Sequence, residues 1–186
     1  MNKSIRWRII TLQSMLVVIL ACASGFLLYE GNFVTGMVHD QLVAQKIHFP
    51  MAGSPALSPA EFPDLQQYAG QQVDNGDKAK AYADGFIGRH LKGVAGGLTY
   101  SQVSAMAMAD PTNTTLSGQV ATLFKGETLR SILLNSYGWW TAGLYATYAG
   151  IVFMIATLGV LGMLVFELFI AGRKPEILKV AQRIAA

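Results

Sequence analysis

Charge is what this sequence has least of. Asp, Glu, Lys and Arg make up 13% of its 186 residues, about half the share found in an ordinary soluble domain. That deficit argues against a freely soluble chain, and a hydrophobic content of 52% points the same way. Cysteine is nearly absent too: the lone Cys22 cannot form a disulfide within the chain. No stretch alternates apolar and polar residues as a half-buried strand does, which leaves an all-α fold. There is no GxSxG motif and no glycine-rich loop carrying a phosphate-binding lysine, so hydrolase and nucleotide chemistry have no carrier. A formal charge of +3 invites a nucleic-acid partner. The basic residues form neither a patch nor a basic-aromatic stripe, and no nucleic acid is expected.

What is there, first of all, is two apolar runs. Residues 9–29 carry no ionisable side chain except Cys22 and Tyr29, and at 1.5 Å per residue they reach about 30 Å, one bilayer crossing. Residues 139–172 contain a single charge, Glu167, and their start is rich in aromatics, with Trp139, Trp140, Tyr145 and Tyr148 following Tyr137. Such residues suit the boundary between water and lipid. Lys3, Arg6 and Arg8 precede the first run, and Arg173, Lys174, Lys179 and Arg183 follow the second. The positive-inside rule then places segments 1–8 and 173–186 in the cytoplasm and 30–138 outside. Between Glu30 and Gly138 the chain holds 9 acidic and 7 basic residues, so its basic excess lies wholly at the two ends. A cleaved signal peptide is the competing reading of the first run, since Ala21, Cys22 and Ala23 are small. Leu20 is a poor lipobox residue and the run is long for a signal, so an uncleaved anchor is expected.

The external segment reads as a small helical bundle continuous with the spans. Val34, Val38 and Leu42 lie one turn apart, extending the first span outward until His48-Phe49-Pro50 stops it. Gly53, Pro55, Pro59 and Pro63 predict a loop over 50–63. From Asn75-Gly76-Asp77 onward, Ala79, Tyr82, Ala83, Phe86, Ile87, Leu91 and Val94 follow a helical face that ends at Gly96-Gly97. A short helix is expected over Tyr100 to Ala109. Another starts near Asn113, with Leu116, Val120, Leu123, Phe124, Leu129, Ile132 and Leu133 on one side, and runs toward the second span. Asn113-Thr114-Thr115 matches a glycosylation acceptor, but that motif is common by chance and Asn113 is expected to cap a helix.

Few residues could carry chemistry. His39, His48 and His90, with Asp40 and Asp84, are the metal-ligand candidates outside the spans, and two histidines with a carboxylate can hold a non-haem iron. No pair has a regular ligand spacing, so neither a metal nor any other cofactor is expected. Glu167, a carboxylate inside a span, is by default a proton or partner site. It lies six residues before Arg173, about 9 Å along the axis, so it is expected to reach the cytoplasmic interface or pair with Arg173 or Lys174 rather than line a proton or ion path. Ala142, Ala146 and Gly150 recur every four positions on the second span, and Ala21 and Gly25 do so on the first. These faces would let the spans approach closely in an antiparallel hairpin. Gly85 and Gly88 each cost up to about 1 kcal/mol within a helix. Close packing against a neighbouring helix or a partner protein would account for them.

The segments HDQLVAQKIHFP (39–50), YAGQQVDNGDKAKAYADGFIGRHL (68–91), GGLTYSQVS (96–104) and FKGETLRSILLNSYGWW (124–140) resemble a family of uncharacterised actinobacterial membrane proteins. The resemblance implies two transmembrane helices around a helical exported region. Some members carry an aromatic ring-opening dioxygenase label, but no metal-ligand motif accompanies it in this sequence, and the family supplies no catalytic residues. With about 8 and 14 residues inside, the cytoplasmic ends have no room for a signalling domain. The expected role is therefore non-enzymatic: an accessory, scaffold or assembly subunit of a larger cell-envelope membrane complex, in contact with membrane lipid. The alternatives are an external module binding a lipid or small ligand, and an iron oxygenase using the histidines.

Overall fold

The structure, a computed structural model, describes residues 3–169. Their regular elements are α1 (Lys3–Gln45), α2 (Gly76–Lys80), a π-helical segment (Ala81–Ile87), α3 (Gly88–Val94), α4 (Tyr100–Ala109) and α5 (Thr114–Phe169). Two short 3-10 turns, Pro55–Leu57 and Pro63–Tyr68, precede α2. The fold is all-α, and the extended pairing among the described residues is one antiparallel bridge between His48 and Gln72. With 43 and 56 residues, α1 and α5 extend about 65 and 84 Å, and both are long and apolar enough to cross a membrane. Residues 170–186, which include the end of the expected second span and the basic C-terminal segment, lie outside the described residues.

The chain divides into two compact units, one of Met1–Asn32 with Leu144–Ala186 and one of Phe33–Gly143. In the first unit α1 and α5 run antiparallel. The shielded positions of α1 include Ile10, Gln13, Val17, Leu20, Ser24, Leu27 and Gly31, which alternate steps of three and four. That spacing is the seam of a left-handed helix pair. On α5 the shielded positions include Thr147, Gly150, Thr157, Val160, Leu164 and Glu167. The Ser24 hydroxyl, 5% exposed, donates to the Gly150 carbonyl at 2.8 Å. Thr11, Ser14 and Thr157 instead return their hydroxyls to the carbonyls four residues back. In lipid, such bonds spare the hydroxyls an unsatisfied burial.

In the second unit the core joins Val38 and Leu42 of α1, Ala79, Ala83, Ile87 and Leu91 of the central helical segments, Val103 of α4, and Leu123 and Leu133 of α5. α1 stops where Lys46 turns left-handed, at φ 54°. The expected loop at 50–63 is not peripheral. Its Leu57 and Phe62 are fully buried, each contributing about 1.5–3 kcal/mol of apolar burial. Proline prevents a long helix there yet sits comfortably at the first position of each 3-10 turn. The Phe49 amide donates to Gln71 O and the Val73 amide to Ile47 O, both at 2.9 Å, fastening the two ends of this segment. Asn75 caps α2 through the Lys78 amide, and Thr99 and Gln102 form a reciprocal capping box on α4. Asn113 accepts from the Leu116 amide at the start of α5.

Candidate functional site

The single helix expected from Asn75 to Val94 is interrupted. Over Ala81–Ile87 it widens into a π-helix, and the Gly88 amide donates to Ala83 O, five residues back. Such bulges leave backbone groups available to side chains. Here the Ala83 carbonyl also accepts from Arg130 Nε at 3.1 Å, across from α5. Arg130 Nη2 meets Asp84 Oδ1 at 3.0 Å and Nη1 meets Glu127 Oε2 at 2.8 Å. Burial alone would pull this guanidinium down. The Asp84 hydrogen bond and the Glu127 charge outweigh it and hold Arg130 above its ordinary value. All three guanidinium nitrogens therefore have acceptors.

Beside this clamp lies a half-enclosed cleft of about 410 Å³. Leu91 and Leu123 are its buried apolar walls, and Leu98, 39% exposed, stands at its edge. Gly97, at φ +87°, and Thr99 carry the backbone past it. Its charged residues are Asp84, Lys92, Glu127 and Arg130. Asp84 also borders a second, more open depression of about 430 Å³ with Asp64, Lys80 and Arg89. There Arg89 makes a bidentate pair with Asp64, at 2.8 and 2.7 Å. The hydrogen bond holds the Asp64 carboxyl below its usual 3.8 and raises Arg89. Nearby, burial pushes the Tyr82 phenol up. Its ring meets Phe49 edge-on, with centroids 5.0 Å apart.

Gly85 and Gly88, singled out from the sequence as partner contacts, both face neighbours within the chain. A Cβ at Gly85 would lie 2.9 Å from Leu65 Cδ2, and one at Gly88 would lie 3.4 Å from Arg130 Nε. The three histidines are dispersed. His39 Nδ1 donates to Asp74 O, His48 Nδ1 to Lys46 O and His90 Nδ1 to Phe86 O, at 2.8–2.9 Å. The His90 ring also stacks on Phe62, with centroids 5.2 Å apart. No group of three or more His, Cys, Asp or Glu among the described residues is placed to hold a metal ion, and Asp84 is engaged by Arg130.

In the helix pair the small-residue faces need correction. Gly150 is the close-approach point: a Cβ there would sit 2.8 Å from Leu28 Cγ. Ala21, Gly25 and Ala142 are exposed, and Ala146 is half-buried. A stripe stepping by four advances about 40° per step, whereas packed helices follow the alternating three-four seam. Ser24 and Leu28 therefore replace Ala21 and Gly25 opposite Gly150. Glu167 has a partner among the described residues. Its carboxylate accepts from Arg6 Nε at 3.1 Å, and Arg6 Nη2 donates to the Glu167 and Leu168 carbonyls. Arg173 and Lys174 lie outside the described residues.

Sequence reasoning missed Arg130 and Arg6. The spacing Glu127-x-x-Arg130, in phase with Leu123 and Leu133, was the available signal for the first. On the sequence alone Arg6 reads only as a topology charge. Compared with protein-family models, curated proteins and solved structures, the chain matches none.

Proposed function

We propose that the chain is a non-enzymatic accessory, scaffold or assembly subunit of a larger cell-envelope membrane complex. Two spans anchor it with both termini in the cytoplasm, and the Phe33–Gly143 unit lies on the outer side. Exposed Trp7, Tyr29, Trp139, Tyr145 and Tyr148 supply aromatic contacts for the lipid boundary. The resemblance to two-span actinobacterial proteins supports the same arrangement.

The observation that carries the reading is α4 and its surroundings. From Gly93 to Ala109 the chain has no charged residue, and α4 buries only Val103. Tyr100 and Phe124 pair with centroids 5.8 Å apart, yet both remain exposed, as do Leu98, Met106 and Met108, at 37–72%. An exposed apolar surface of this kind is a mark of a protein or membrane contact, and we read it as a protein contact. Methionine is suited to an adaptable one.

Photocrosslinking residues placed at Met108 and Phe124 in native membranes test this reading. Discrete adducts to a different protein are expected from both, none from a probe at exposed Gln67, and gentle solubilisation should recover the same partner in fixed stoichiometry. Adducts only to lipid or to copies of the chain, with the solubilised protein running as a monomer or homo-oligomer, would overturn it.

A further inference from the structure

The buried stripe of the central helical segment has a spacing that a straight α-helix cannot hold on one face. Ala79, Ala83, Ile87 and Leu91 step by four throughout, and at 100° per residue such a stripe drifts by about 120° over its three steps. The π-turn over Ala81–Ile87 takes in one residue more than an α-turn and removes most of that drift. A second stripe, Ala79, Ala83, Phe86 and His90, steps by four, three and four, the spacing that an unbroken α-helix keeps on one face. Its last two members lie just beside the core: their rings have centroids 5.9 and 5.2 Å from that of the buried Phe62. From Ala83 onward the sequence therefore carries two helical registers.

Arg130 selects between them. The registers compete for Ala83 O, which the π-turn bonds to the Gly88 amide and an α-turn would bond to the Ile87 amide. Arg130 Nε donates to the same oxygen while its guanidinium holds Asp84. A Cβ at Gly88 would lie 3.4 Å from Arg130 Nε, and the α register would bring the branched side chain of Ile87 into that place. A seated Arg130 therefore opposes the α register. Across the core, Leu91 packs against Gly126 of α5, where a Cβ would meet Leu91 Cδ2 at 2.4 Å. With no side chain at Gly126, that place is open to an imidazole as well as to a leucine. Beyond α3, Gly96 and Gly97 have positive φ and nothing within 4 Å of their Cβ positions, so the chain there is free to absorb a shift of α3.

We propose that Ala81–Val94 is a two-register element and that Arg130 is its latch. With Arg130 seated, Ile87 and Leu91 face the core. When a turn of α5 about its own axis withdraws the guanidinium, α3 turns by about 100° and advances about 1.5 Å. Phe86 and His90 then face the core, and Leu91 moves out to the place that Lys92 now holds. The element stands whether or not a protein meets α4.

The test uses the full chain in nanodiscs on a Cys22→Ser background, with His90→Cys or Leu91→Cys as the single thiol. In the structure His90 is exposed and Leu91 is 8% exposed, so a soluble thiol reagent should modify position 90 faster than position 91. Adding Arg130→Met should slow position 90 and speed position 91, lowering the ratio of the two rates by roughly tenfold, the scale of a lost charged hydrogen bond. Phe86→Gln places a polar group where the α register would bury it, and combined with Arg130→Met it should restore the ratio. Asp84→Asn, which weakens the latch and keeps Arg130, should move the ratio in the same direction by about two- to threefold; it carries the test if Arg130→Met does not fold. Rates that rise together at both positions, or a ratio that neither variant changes, would overturn the proposal.

Discussion

At Gly150 the space for a side chain is already occupied. A Cβ would approach Leu28 Cγ to 2.8 Å and the Leu28 backbone nitrogen to 3.0 Å, and the backbone cannot yield locally. Gly150→Leu should destabilise the helix pair by about 1–3 kcal/mol, seen as a lowered unfolding midpoint of the solubilised protein. Gly25→Leu, with nothing within 4 Å of its Cβ position, should leave that midpoint nearly unchanged. Gln13 presents the opposite problem: its Oε1 is buried with no hydrogen-bond partner. Gln13→Leu should raise stability by about 1 kcal/mol in the same measurement, because an unmet acceptor is removed without leaving a hole. Asp64 sets a pH effect. Arg89 depresses its carboxyl in the folded protein, so the contribution is complete above the ordinary value of 3.8 and is lost as pH falls through the lower folded value. Solvent screening keeps it to about 1 kcal/mol or less. An acid titration of Asp64→Asn followed by circular dichroism should show a correspondingly shallower loss of stability below about pH 4.

Among the elements, the helices with sharp end signals were legible in the sequence. Asn75 and Asn113 are capping residues whose side-chain geometry is local, so residue type alone identifies them. The failures share a different cause, since each depends on a neighbour distant in the chain. Leu57 and Phe62 lie in a proline-rich segment that looks like a loop by composition, but the antiparallel bridge at His48 and Gln72 turns it into the core. The Gly150 seam depends on which face of α1 is opposite, and small residues alone selected the wrong one. The π-helical segment was invisible because its 3.6-residue pattern looks continuous, while the side chain that braces it, Arg130, lies 47 positions away from Ala83. Arg130→Met should therefore loosen the segment specifically. Its Ala83 and Asp84 acceptors lose a charged donor, a cost of about 1.5–3 kcal/mol, and amide exchange over residues 83–94 should accelerate more than exchange in α4.

For the molecule as a whole, the membrane reading makes an accessibility prediction. In intact cells a charged, impermeant thiol reagent should modify a cysteine introduced at Gln67, within the Phe33–Gly143 unit. It should not reach Cys22, which lies inside the first apolar run. Labelling at position 67 only after the membrane is breached would reverse the orientation. The π-helical segment carries a further consequence for the chain's length. A turn closed by a five-residue rather than a four-residue bond stores one surplus residue while the flanking α2 and α3 keep their helical course. Deleting one residue between Asp84 and Phe86 should let an ordinary helix close across the gap without moving the downstream sequence out of phase. The same deletion within α5 would turn everything beyond it by about 100°. Among the described helices, this turn is thus the place where a single-codon loss is absorbed.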